Sequence, residues 1–210
     1  MATAAVPSRR RLNPEMRRTL ILDHTAELVA RDGVAQLSIE SIGREAGVSK
    51  SLVYAYFPNL TALLRELFQR EMRRLRRLQA EAAANADTFE GLVRSVTHVY
   101  LSYIDERGLI IERLQHEPSV SEMHDPTDFG RETAVEYLTG LVMAHFDLPH
   151  DIARAATDIS FGLPASAGSY LQRHQLDLKM LEDLTVTMII GTITAVKNEY
   201  MARRQTLKRG

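Results

Sequence analysis

Apolar residues recur along most of this chain at intervals of three and four residues, the spacing of one face of an α-helix. No stretch shows a convincing strand alternation, and no internal repeat is visible. The pattern predicts an all-α fold of about nine helices. The predicted helices are Pro14–Asp32, two short helices within 38–57, a long one from Asn59, Thr88–Arg107, Leu109–His116, and about 127–146, 150–173 and 178–203.

The most informative segment is 38–57, SIESIGREAGVSKSLVYAYF. Ser38 and Ser49 each precede a short helical run and can cap it. Gly47 between the two runs favours a left-handed turn that ends the first helix. Val53 and Phe57 give the second helix an inner face, which leaves hydroxyl and amine donors outside. The segment therefore predicts a helix-turn-helix with a polar outer surface.

This pattern resembles the helix-turn-helix of the tetracycline-repressor (TetR) family, roughly T-x-x-x-I-A-x-x-A-G-V-S-x-G-x-L-Y-x-H-F-x-x-K. It is carried here by Ser38, Ile42-Gly43, Ala46-Gly47-Val48-Ser49, Ser51, Val53-Tyr54 and Tyr56-Phe57. The resemblance covers about the first third of the chain. It implies a bacterial, homodimeric, all-helical transcription regulator that responds to a small-molecule effector and binds an operator in double-stranded DNA.

Three residues depart from the family pattern. Ser51 replaces the usual glycine and brings a hydroxyl towards the DNA, while Tyr56 replaces a histidine and keeps a donor. Leu60 replaces a common lysine at the start of the fourth helix, so one expected phosphate contact is weakened.

Charge is distributed unevenly between the two ends of the chain. Residues 1–80 hold 14 Lys/Arg against 8 Asp/Glu, and residues 81–210 hold 12 against 19. A basic front on an acidic body is typical of a protein with one nucleic-acid face, although chance clustering is the alternative. We divide the chain into a disordered basic arm (1–13), a DNA-binding domain (14–58), a connecting helix (59–80) and a ligand-binding and dimerisation domain (81–210).

Within the predicted helix-turn-helix, polar residues fall into two roles. Ser38, Ser49, Tyr54 and Tyr56 are candidates for phosphate contacts, which position a protein without reading sequence. Lys50 and Ser51, with Leu52 as an apolar probe, are candidates for base edges. Tyr54 and Tyr56 have an alternative role, because either ring could instead pack the motif internally. Arg9, Arg10 and Arg11 either reach into an adjacent minor groove or form a solubilising tail.

The last predicted helix carries apolar residues over an unusually wide arc. Leu181, Leu184, Met188, Gly191 and Ala195 fall on one face, and a second apolar face includes Val186 and Ile193. One face can cover its own core, so we expect the other to cover a second copy of the chain. The predicted dimer interface comprises Gly162, Ser166, Leu184, Met188, Gly191 and Ala195; burial inside a monomer is the alternative.

The effector site is less well defined by the sequence. Tyr100, Tyr103, Leu114, Phe146 and Phe161 are the candidate lining residues, and each could equally be a core residue. Pro164 lies inside the predicted 150–173 helix, where it should produce a kink.

Other classes of protein find little support. The absence of cysteine excludes disulfides and thiolate chemistry, and no catalytic or metal-binding motif is present, so we expect no enzyme, no metal and no cofactor. No apolar run is long enough for a membrane span, and we expect a cytoplasmic protein. An architectural DNA-binding protein without an effector, or an activator, remains as an alternative to a repressor.

Overall fold

The computed structural model describes residues 13–121, 127–174 and 176–207. Within these ranges the chain is helical and forms no β-strand, which confirms the predicted fold class. Nine helices of the described ranges are longer than one turn, and a tenth, α6, has four residues. The helices are α1 Pro14–Asp32, α2 Ile39–Glu45, α3 Lys50–Tyr56, α4 Leu60–Ala84, α5 Phe89–Gln115, α6 Pro118–Ser121, α7 Thr127–Phe146, α8 His150–Ser160, α9 Leu163–Arg173 and α10 Leu178–Leu207.

The first three helices form a small unit around buried aliphatic residues. The side chain of Asn13 caps α1 by accepting a hydrogen bond from the Met16 amide at 2.8 Å. Gly33 ends α1 with φ of 80°. Ile21, Ile42 and Val53, one from each helix, are completely buried in the first core cluster. None of the helices in the described ranges combines the length and apolarity needed to cross a bilayer.

Helix α4 joins this unit to the rest of the chain and runs four residues beyond the predicted end at residue 80. Two arginines of α4 contact neighbouring helices. Arg65 donates to the carbonyl of Ser119 at 2.6 Å, and Arg70 donates to Asp23 at 2.7 Å. These two arginines therefore tie α4 to neighbouring helices rather than only facing solvent.

Helix α5 is one continuous helix, so the predicted break between Arg107 and Leu109 is wrong. Gly108 lies buried inside it, and a Cβ at this position would clash with the side-chain amide of Gln172 on α9. The glycine thus permits close helix packing instead of ending a helix. Because its partner lies on a helix distant in sequence, the chain pattern alone did not reveal this role.

The predicted 150–173 helix is in fact two helices, α8 and α9. The chain breaks at Phe161–Gly162, and Pro164 lies in the first turn of α9. Proline is compatible with a first helical turn, because the amide it lacks would have no helical partner there. The predicted kink at Pro164 is therefore wrong, since a new helix begins just before it.

Candidate nucleic-acid interface and dimer face

The two-helix unit 38–57 is closed by local hydrogen bonds. The Ser38 side chain accepts from the Ser41 amide at 3.0 Å, and the Ser41 hydroxyl accepts from the Ser38 amide at 3.0 Å. This reciprocal pair is a capping box in which serine replaces the usual glutamate. Gly47 has φ of 65°, and the Val48 amide donates to the Gly43 carbonyl at 2.8 Å. The turn therefore holds α3 firmly against α2.

Gly43 allows the turn to pass close to α2. A Cβ at this position would lie 3.0 Å from the Val48 carbonyl oxygen and 3.6 Å from a Val53 methyl group. A residue without a side chain is therefore needed here for the turn to pass this close to α2. Helix α3 then begins after Ser49, whose side chain accepts from the Leu52 amide at 3.2 Å.

The outer surface of α3 carries most of the predicted contact residues. Ser49, Lys50 and Ser51 are exposed, and Tyr54 keeps 47% of its surface accessible. Leu52 is half-buried, so part of its side chain still faces outward. These residues present one amine, three hydroxyl groups and an apolar edge on a single short helix, which is a surface suited to the floor of a major groove.

Tyr56 differs from the other predicted contacts. Its ring is half-buried and packs against the first core cluster. Its carbonyl lies 3.5 Å from Arg18 Nη1, and the same guanidinium pairs with Glu66 of α4 and lies over the Phe57 ring at 4.9 Å. This geometry favours the packing role for the Tyr56 ring. Arg9, Arg10 and Arg11 lie outside the described residues.

A buried polar cluster fastens α4 to α5. Glu71 of α4 is 1% exposed and accepts hydrogen bonds from the Tyr103 hydroxyl at 2.7 Å and from Arg107 Nε at 3.0 Å. Burial alone would raise the pKa of Glu71. The hydrogen bonds from Arg107 and Tyr103 outweigh that effect and place this pKa below its ordinary value. Burial and the bond to Glu71 raise the pKa of Tyr103.

The five candidate effector residues do not converge on one site. Tyr103 and Leu114 belong to the first core cluster, where Tyr100 packs partly exposed, and Phe146 belongs to the second cluster around α7, α8 and α10. Phe161 lies between α8 and α9, with the Arg131 guanidinium 5.2 Å above its ring. Two open cavities, of about 410 and 300 Å³, are lined by other residues. The structure thus leaves the effector pocket unassigned.

The six predicted interface residues all reach the surface of the single chain. Leu184 is 52% exposed and Met188 is 47% exposed, an unusual degree for large apolar side chains. Gly162, Ser166, Gly191 and Ala195 are exposed as well. We define the α10 stripe as Met180, Leu184, Met188, Gly191 and Ala195, all of which lie at helical spacing on one face.

Two details of α10 differ from the sequence-based expectation. Leu181, which we placed on the same face as Leu184, is 4% exposed and belongs to the inner side of the helix. Met180, which we did not select, is 59% exposed and extends the stripe by one turn. Met180 lies four residues before Leu184, and this helical spacing could have predicted its place on the same face. Val186 and Ile193 are buried in the second core cluster, so the two-faced character of α10 was predicted correctly.

Sequence reasoning also missed Arg113 of α5. This arginine donates to the carbonyls of Val29 and Ala30 at the end of α1, at 2.6 and 2.8 Å. The two helices are more than 80 residues apart along the chain, so no local pattern pointed to the contact. Within the described residues no group of three or more His, Cys, Asp or Glu side chains is placed to hold a metal ion.

Comparison with known proteins agrees with this geometry. Residues 21–67 match the model of the bacterial regulatory proteins of the tetR family. The "Fatty acid metabolism regulator protein" of Bacillus subtilis is 28% identical over 105 residues, which are 49% of this chain and 54% of that protein. The matched region therefore spans only about half of the curated relative.

Solved structures share the fold over most of the chain. A tetR-family transcriptional regulator from Streptomyces coelicolor superposes with a TM-score of 0.71 at 21% identity, covering 94% of this chain and 89% of that one. The fatty acid degradation regulator FadR from Bacillus halodurans superposes with a TM-score of 0.67 at 20% identity, covering 87% and 97%. Residues 21–67 therefore match the tetR family of bacterial regulatory proteins, and the described parts of the chain share the fold of these solved regulators.

Proposed function

We propose that this chain is a homodimeric transcription regulator that binds a palindromic operator and is released from it by a small-molecule effector. The observation that carries the proposal is the pairing of two surfaces on one chain. One is the exposed donor surface of α3, and the other is the exposed apolar α10 stripe. A monomer needs neither, whereas a DNA-binding dimer needs both.

The α3 surface supplies the proposed contacts to DNA. Lys50 and Ser51 would meet base edges, with Leu52 against a thymine methyl group. Ser38, Ser49 and Tyr54 would bind phosphates and fix the register. Tyr56 is retained only as a weaker phosphate candidate, because its ring packs into the core cluster.

The α10 stripe supplies the proposed interface between two copies. A twofold dimer brings the same patch of both chains together, and exposed glycine and alanine allow the helices to approach closely. Gly162 and Ser166 would line the adjoining part of the interface on α9 and its start. Two copies would then set their α3 helices one DNA turn apart, about 34–36 Å, or a multiple of that distance.

Release by an effector is a matter of differential affinity. The dimer would have two conformations, one whose α3 helices match the operator spacing and one whose α3 helices do not. An effector that binds the second conformation more tightly lowers the affinity for DNA, and the ratio of its affinities for the two conformations sets the largest possible effect. Two similar proteins carry names that refer to fatty acid metabolism or degradation. Fatty acids are therefore the first compounds to test as effectors of this chain.

Selection of bound sequences from random duplexes tests the proposal. We expect a palindromic consensus whose half-sites are separated by a whole number of helical turns. A DNA-binding protein of architectural type would instead enrich no defined sequence, and that result would overturn the regulator proposal. Addition of the effector should then reduce binding to the selected duplex without unfolding the protein.

A further inference from the structure

Helix α1 ends at a junction with the C-terminal half of α5. The last carbonyls of a helix have no partner within the helix and carry its partial negative charge. Here the Val29 carbonyl accepts from the Gly33 amide at 3.1 Å and also from Arg113 Nη1 at 2.6 Å. The Ala30 carbonyl accepts from the same Arg113 nitrogen at 2.8 Å. A cation on α5 therefore caps α1 from outside.

The packing around this contact is incomplete. A cavity of about 410 Å³ lies beside it, lined by the turn residues Gly33 and Val34 on one side and by Leu109, Glu112, Arg113, His116 and Glu117 of α5 and its end on the other. Leu109 is 46% exposed in this open groove. On this open side, two charge-assisted hydrogen bonds add to the apolar contacts that α1 and α5 share in the first core cluster.

The position of α1 matters because α2 and α3 follow it directly. Residues 33–38 connect the end of α1 to α2, and the three helices share one core. A rotation of α1 against α5 would therefore carry α3 with it. In a dimer such a rotation changes the distance between the two α3 helices, which is the quantity that a palindromic site reads.

We propose that Arg113 is a positioning residue that fixes the orientation of the unit α1–α3 on the body, and through it the half-site spacing that the dimer accepts. The inference rests on the proposed function for its DNA consequence. Arg113 itself touches no DNA; it acts through the end of α1. Without the Arg113 side chain, each unit α1–α3 should stay folded, but the distance between the two units of the dimer should vary more.

The DNA test uses the full chain and the variant Arg113→Met, which keeps an unbranched apolar stem and removes every donor. We expect affinity for a palindrome of the preferred spacing to fall about tenfold, a usual size for coupling between sites. The affinity for a duplex with one half-site should be unchanged. The difference in affinity between the preferred palindrome and palindromes of altered spacing should become smaller. Arg113→Lys should recover part of the loss, because an ammonium group can still donate to a carbonyl.

Arg173→Met is the matched control. Arg173 also donates to a backbone carbonyl, that of Ser169 at 3.0 Å, but within its own helix on the body. We expect this variant to bind both duplexes as the parent chain does. Equal losses of Arg113→Met on the single half-site and the palindrome would overturn the inference, as would unchanged affinity and unchanged spacing preference.

A second measurement does not depend on DNA. Because the chain contains no cysteine, single cysteines at the exposed positions Gln36 and Glu106 can carry a pair of spin labels. Arg113→Met should broaden the distribution of distances between the labels, and Arg173→Met should not. An unchanged distribution overturns the inference. Failure of the parent chain to bind any duplex would overturn the proposed function and leave this label measurement to decide the role of Arg113.

Discussion

At the scale of single residues, Gly47 has a left-handed backbone conformation that favours glycine. Its φ of 65° is a region that residues with a Cβ enter at a cost of roughly 1–2 kcal/mol. We therefore predict that Gly47→Ala lowers the free energy of unfolding by about 1–2 kcal/mol in urea titrations. A Cβ at Gly47 meets no atom within 4 Å, so any loss reports the backbone conformation and not a clash.

Gly140 provides the control for this substitution. It lies inside α7 with ordinary helical geometry, and a Cβ added there would also meet no atom within 4 Å. Gly140→Ala should raise the free energy of unfolding by up to about 1 kcal/mol, because alanine has the higher helix propensity. If both variants shift stability in the same direction, the assigned role of Gly47 is wrong.

Glu71 is a buried carboxylate that depends on its hydrogen-bond partners. Hydrogen bonds from Arg107 and Tyr103 overcome the cost of burial and lower its pKa from the ordinary 4.5. The stabilisation by this carboxylate is thus complete above pH 4.5 and is lost as pH falls towards the lower pKa of the folded state. We predict that Glu71→Gln costs about 3 kcal/mol at about pH 7, because Arg107 loses its buried counter-charge.

The pH dependence separates this charge effect from a packing effect. The glutamine side chain has almost the shape of the protonated acid. The stability difference between Glu71→Gln and the parent chain should therefore shrink below pH 4.5, as the parent carboxylate becomes protonated. Urea titrations at several pH values measure this difference, and a gap that stays constant down to acid pH would contradict the charge-pair explanation.

Lys50 is the residue on which the proposed reading of bases should depend most. It is exposed at the start of α3 and its amine can donate to guanine O6 or N7. We predict that Lys50→Ala relaxes the sequence preference at one half-site position, at a cost of roughly 1–3 kcal/mol on the preferred base. Binding titrations on duplexes that differ at single positions measure this change. A uniform loss across all sequences would make Lys50 a phosphate contact instead.

At the scale of helices, the α10 stripe should decide the oligomeric state. We predict that Leu184→Glu abolishes the dimer without unfolding the chain, because the side chain is 52% exposed in the single chain but would face its own copy in a dimer. Sedimentation gives the mass, and circular dichroism shows whether the helices persist.

Leu109→Glu is the matched control for this element. Leu109 is exposed to a similar extent, 46%, but it lies in the groove between α5 and the end of α1. We expect Leu109→Glu to remain dimeric. A dimer that survives Leu184→Glu and dissociates with Leu109→Glu would show that the interface lies on a different face of the molecule.

Helix boundaries show how far the sequence could predict this fold. The caps Ser38 and Ser49 and the turn residue Gly47 act on their immediate neighbours, so their roles were predicted from local spacing. The predicted break between Arg107 and Leu109 is wrong, because Gly108 makes room for Gln172 of another helix and does not end α5. The predicted kink at Pro164 is wrong because a new helix, α9, begins one residue before it, and the sequence pattern did not reveal that helix start.

The candidate sites follow the same division. The α3 surface could be predicted because its residues are consecutive and their environment is set by one short helix. The Glu71–Arg107 pair and the Arg113 contact join helices that are distant in sequence, so no local pattern encodes them. The effector residues were predicted from aromatic and apolar character alone, which buried core positions share.

At the scale of the whole molecule, a basic front that carries α3 is joined to an acidic body through α4 and α5. Residues 1–80 carry 14 Lys/Arg against 8 Asp/Glu, and residues 81–210 carry 12 against 19. Attraction to DNA should therefore orient the front towards the duplex, and the affinity should fall as salt concentration rises. In the proposed dimer, sequence specificity should in contrast depend on the distance between the two α3 helices.

The most direct measurement is the mass of the complex between the protein and its selected duplex, obtained by sedimentation at low ionic strength. We predict two chains on each palindrome, or an even number, with half-site centres about 34–36 Å or a multiple of that apart. A single chain on each palindrome, or no complex with any duplex offered, would contradict the proposed dimeric DNA-binding protein.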